Sequence, residues 1–181
     1  VICLSSNNKI KINDQRKNKD SHHWRWHGRH NGCFQINKTK NKYDVLVVDV
    51  FKGEEPPSHV LTIESLTKIK QLLSDEGVMY INWHGYMSND IGLGTGILYN
   101  TLVEAGFYVK VCASSSSEAY RNLIFVASKR QLPKQYLELN QIQASLNLVN
   151  TDTQPLLEKY NAKANKAWRV NYLRYYQGSE D

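Results

Sequence analysis

A chain of 181 residues is long enough for one domain with a core of its own, and 41% apolar residues is ordinary for a globular protein. No apolar run approaches the roughly 20 residues that a spanning helix requires, so a membrane is not an expected partner. The net charge of +6 sits in the first quarter: residues 1–42 hold ten Lys/Arg and two Asp, and the remainder holds thirteen against fifteen. That distribution offers no basic face with a recognisable module, and nucleic acid is not expected as a partner either.

The opening stretch, "VICLSSNNKIK", has too short an apolar run, with charges on the wrong side, for a signal peptide. Cys3, Cys33 and Cys112 are odd in number and scattered, which fits reduced thiols and a cytoplasmic setting rather than a disulfide framework. Residues 1–42 form an irregular basic segment. Its His22, His23, His27 and His30 lack Cys, Asp or Glu at ligand spacing, so no metal is expected there.

Residues 43–181 are patterned differently. Residues 44–50, Asp44 and then "VLVVDV", are a β-branched run suited to a strand buried on both faces of a parallel sheet. Thr62 is placed to cap a helix reaching about Leu73, with Leu66, Ile69 and Leu73 on one face. "SDEG" should end that helix, and "VMYIN" (78–82) should be the next strand. A helix over 95–105 closes on Gly106, and strands follow at 107–113 and 122–128, separated by the polar loop "SSSSEAYR" (114–121), expected to be mobile. After Pro155, the spacing of Leu156, Tyr160, Ala164 and Trp168 predicts a C-terminal helix, with Trp168 largely buried.

Strands alternating with helices indicate an α/β sheet, mostly parallel, with the last two strands an antiparallel pair. Ligands of such sheets bind outside the carboxyl ends of the strands. Asp49 and the acidic, proline-containing stretch 52–57 fall at that edge.

The stretch from Tyr43-Asp44 through Asp49-Val50-Phe51, Glu54 to Pro57, His59 to Thr62 and Asp75 to Val78 resembles the polyamine aminopropyltransferases, the spermidine synthase family, in its divergent bacterial branch. "NTDTQPLLEKYNA" (150–162) resembles that family's closing stretch, and the likeness covers roughly residues 31–170. The resemblance implies a Rossmann-like sheet of the S-adenosylmethionine-dependent methyltransferase type. It implies decarboxylated S-adenosylmethionine (or S-adenosylmethionine) as co-substrate, a small-molecule diamine as acceptor, no permanently bound cofactor, and leaves a homodimer open.

Aminopropyl transfer displaces a sulfonium at carbon with an amine, so an acid must hold the amine and take its proton. By the resemblance Asp49 and Glu54 are the catalytic candidates, Glu55 and His59 the substrate-binding ones, and Asn31-Gly32 the adenine-binding ones. Three departures are visible. Lys52 stands where spermidine-forming members carry a second aspartate, Asn31 replaces an aspartate, and the N-terminal strand with its glycine-rich turn is missing, since "GLGTGI" (92–97) comes too late in the chain. Three readings stay open: an aminopropyltransferase-type enzyme, a non-catalytic binding or dimerisation module of that fold, and a methyltransferase on another acceptor.

Overall fold

The computed structural model describes residues 2–4, 42–49, 58–133 and 147–177. Eight elements follow in chain order: β1 (Ile2–Leu4), β2 (Tyr43–Val48), α1 (Ile63–Leu72), β3 (Leu73–His84), α2 (Leu93–Glu104), β4 (Tyr108–Ala113), β5 (Asn122–Ser128) and α3 (Leu157–Gln177). The strands form one sheet in the order β1-β2-β3-β5-β4. β2 and β3 run parallel, as expected, and β4 and β5 are antiparallel neighbours.

The sheet is mixed rather than mostly parallel. β1 pairs antiparallel with β2, and β5 enters between β3 and β4, antiparallel to both, so β2–β3 is the one parallel pair among the described residues. The short connection from β4 to β5 allows only a reversal, because a parallel crossover takes a dozen or more residues. That β5 also lies against β3 is a long-range choice with no local signal.

α1 begins where the sequence places it: the Thr62 side chain accepts from the Ser65 amide at 3.2 Å, and Leu66, Ile69 and Leu72 turn inward. It ends at Leu72, next to the expected Leu73, but no turn follows. Leu73 caps the helix and is also the first residue of β3, so Ser74–Gly77 is strand, not a stop. Pairing jumps from Tyr43↔Leu73 to Val45↔Val78, which marks a bulge. Gly77 permits it: a Cβ there would sit 2.7 Å from the Tyr43 carbonyl oxygen.

β2 buries Leu46 and Val48 on one face and leaves Val45 and Val47 half-buried on the other, so the expected two-faced burial holds for one face. That buried face continues through Met79, Ile81 and Trp83 of β3 and Leu123, Phe125 and Ala127 of β5, and it packs with Ile97, Leu98 and Leu102 of α2. Trp83 meets Phe125 edge to face at 6.5 Å and donates from Nε1 to Thr95 Oγ1 at 3.0 Å. α2 ends as predicted on Gly106, at φ +79°. Gly106 N–H bonds to Val103 O and Phe107 N–H to Leu102 O, a Schellman closure.

α3 starts in the core with Leu157 and Ala164, while Trp168 is half-buried rather than largely buried. Its ring lies on His84 instead of among aliphatic side chains. No helix among the described residues is long and apolar enough to cross a membrane.

Candidate functional site

β2 and β3 run in the same direction, so their carboxyl ends, Val48 and His84, lie at one edge of the sheet. Asp49 leaves β2 there with its side chain exposed. Asn82 of β3 donates from Nδ2 to Asp49 Oδ1 at 3.1 Å, which fixes the carboxylate's orientation without neutralising it. Asn82 Oδ1 is buried and has no hydrogen-bond partner among the described residues. An exposed carboxylate held in one orientation suits a ligand that carries N–H donors and positive charge.

Two residues further on the same strand, His84 is buried, and its Nδ1 lies 3.0 Å from Asn165 Oδ1. Asn161 Nδ2 donates to that same oxygen at 2.7 Å. Which atom donates in the His84–Asn165 contact depends on the imidazole tautomer. Asn161 packs on Gly94 so closely that a Cβ at Gly94 would stand 2.7 Å from Asn161 Oδ1. Gly92, the N-cap of α2, offers no side-chain cap, and the amide dipole of Asn161 lies against the first turn.

The loop after β3 is tied down. Arg121, 7% exposed, donates from Nε to Gly85 O at 2.7 Å and from NH2 to Glu118 Oε1 at 2.9 Å. Glu118 in turn accepts from the Met87 amide at 3.2 Å and from Ser88 Oγ at 2.9 Å. The 114–121 loop, expected to be mobile, is thus clamped to residues 85–88. Tyr86 is buried in the same region; its hydroxyl accepts from Asn171 Nδ2 at 3.0 Å, and burial raises its pKa above the usual phenol value despite that bond.

His59 occupies a single helical turn, Ser58–Val60, half-buried, with its carbonyl accepting from Ser65 Oγ at 3.0 Å. That turn is fixed by Asn150, fully buried, whose Nδ2 donates to Ser58 O at 2.7 Å and Leu61 O at 3.0 Å while Oδ1 accepts from Leu156 N–H at 2.7 Å. Thr62 Oγ1 donates to Asp152 Oδ1 at 2.7 Å, and Glu64 Oε2 accepts from the Asp152 amide at 3.0 Å. The "NTDTQPLL" stretch therefore braces the chain just after residues 50–57.

Of the residues selected from sequence, Asp49 and His59 are described, and Asp49 lies at the expected edge. Lys52, Glu54, Glu55, Asn31 and Gly32 lie outside the described residues, as do His22, His23, His27 and His30. Among the described residues no group of three or more His, Cys, Asp or Glu is arranged to hold a metal ion. Sequence reasoning overlooked Asn82, His84, Asn150 and Arg121. The first two had a signal: polar residues at i and i+2 closing an apolar strand.

No protein-family model matches the chain. A polyamine aminopropyltransferase of Vibrio vulnificus (strain CMCP6) is 49% identical over 41 residues, which is 23% of this chain and 14% of that protein's length. Among solved structures, MNMC2 from Aquifex aeolicus aligns over 70% of this chain and 40% of its own, at a TM-score of 0.43 and 20% identity.

Proposed function

We propose that the edge formed by Asp49 and Asn82 binds a diamine as the acceptor of an aminopropyl group from decarboxylated S-adenosylmethionine. The observation that carries this reading is the exposed Asp49 carboxylate, oriented by Asn82 at the carboxyl end of β2. An ammonium group presents several N–H donors and a positive charge, and a carboxylate answers both. The 41-residue likeness to a polyamine aminopropyltransferase supports the choice of amine over other cations.

In the proposed reaction Asp49 holds the incoming ammonium and takes one proton from it, which frees the amine lone pair. The lone pair attacks the carbon next to the sulfonium: a C–N bond forms, the C–S bond breaks with its electrons passing to sulfur, and a secondary ammonium and a neutral thioether result. Glu54, Glu55 and His59 follow Asp49 within ten residues and are proposed as further contacts to the amine, and Asn31-Gly32 as contacts to the adenosine.

Incubation with putrescine and decarboxylated S-adenosylmethionine, with mass spectrometry for spermidine and methylthioadenosine, tests the transfer. Formation of both, lost in Asp49→Asn, is the expected result. Neither product from the unaltered protein refutes transfer by this chain.

A further inference from the structure

We infer that the C-terminal half of α3 is a strap laid across the carboxyl end of β3, which lifts as a unit while the N-terminal half stays in the core. The helix changes character along its length. Leu157 and Ala164 are fully buried, and Leu157 belongs to the apolar core. From Asn165 onward the contacts with the sheet edge are polar or aromatic.

Asn165 Oδ1 meets His84 Nδ1, Trp168 stacks on His84 at 5.0 Å with rings 4° from parallel, and Asn171 donates to the Tyr86 hydroxyl. Tyr172 stacks on the outer face of Trp168 at 4.9 Å. Beyond the stack, Val170, Leu173 and Tyr175 are exposed, Tyr175 at 69%. At the junction of the two halves, Asn165 Nδ2 is buried with no partner among the described residues, as is Asn161 Oδ1 one turn earlier.

Stacked rings and single hydrogen bonds exchange readily for water, whereas buried aliphatic groups do not. The two halves of one helix are therefore anchored by forces of different strength, and cooperative local opening should follow that boundary. The strap rests on His84 and Tyr86, and His84 lies two residues, about 7 Å, from Asn82 along the strand. What the strap covers rests on reading this edge as the amine site, but its motion does not.

Amide hydrogen exchange without any ligand provides the test, so a failure to bind amines leaves it intact. Amides of 169–175 should open together, with one common protection at least about tenfold below that of 161–165. Trp168→Ala should lower the protection of 169–175 by a further tenfold or so and leave 161–165 unchanged, while Trp168→Phe, which keeps a stacking ring, should restore most of it. A smooth decline towards the C-terminus in the unaltered protein is ordinary fraying and overturns the proposal. So does a loss in Trp168→Ala that spreads to 161–165, since the helix then moves as one piece. Should Trp168→Ala fail to fold, the step or its absence in the unaltered protein decides.

Discussion

Replacing Asn150 by Ala perturbs the site without touching it. The side chain makes three hydrogen bonds from a fully buried position, to Ser58 O, Leu61 O and the Leu156 amide. After truncation Ser58 O still accepts from the Leu61 amide at 3.2 Å, so it keeps one partner. Leu61 O and Leu156 N–H lose theirs, and a buried group left unsatisfied costs roughly 1–3 kcal/mol. Two such groups, eased where water enters the vacated space, give an expected destabilisation of about 3 kcal/mol. Asn150→Asp should be no better: it keeps the acceptor for Leu156 but turns a carboxylate oxygen towards two carbonyls. Urea unfolding followed by circular dichroism reads the change as a lower midpoint at constant slope. A loss below about 1 kcal/mol would mean that water replaces the amide at little cost and that Asn150 does not brace the turn.

Gly85→Ala should be destabilising by about 1–3 kcal/mol or more in the same assay, since its Cβ would lie 2.1 Å from the Arg121 carbonyl oxygen, a backbone atom with no room to yield. A neutral outcome would mean that the 85–88 and 114–121 loops are not held together as described. Tyr86 sets an alkaline limit. Its pKa is raised by burial from 10.0, so the folded state holds the proton more tightly than the unfolded one. The stability from the neutral phenol is complete below about pH 10 and is lost as pH rises through the folded pKa. Tyr86→Phe should therefore have a shallower decline of stability above pH 10 than the unaltered protein, and parallel profiles for the two would contradict the assignment.

Much of this fold was readable because its signals are local. Thr62 before an apolar stripe marks a helix start, Gly106 after another marks a helix end, and β-branched runs at 45–48 and 122–128 mark strands. What the sequence concealed was long-range. Ser74–Gly77 looks like a helix stop, yet becomes strand because Tyr43 is there to pair with Leu73 across a bulge. β5 could not be seen to lie against β3, since nothing in 122–128 names its neighbour. Trp168 continued an apolar stripe by spacing, but its partner is the imidazole of His84, 84 positions earlier in the chain. The place of Asp49 at the carboxyl end of β2 was legible from the apolar run before it. Asn82, which orients it, is 33 residues away in sequence and becomes visible only once β2 and β3 are side by side.

If Asp49, oriented by Asn82, holds a diamine, its affinity depends on both side chains. Isothermal titration calorimetry with putrescine, on the unaltered protein and on Asp49→Asn and Asn82→Ala, measures this. Saturable binding is expected, weakened about tenfold or more in Asp49→Asn by loss of a charge-assisted hydrogen bond, and less in Asn82→Ala, where the carboxylate remains while its orientation is lost. Binding of equal strength in all three proteins, or no binding to the unaltered one, rules out a diamine held by Asp49.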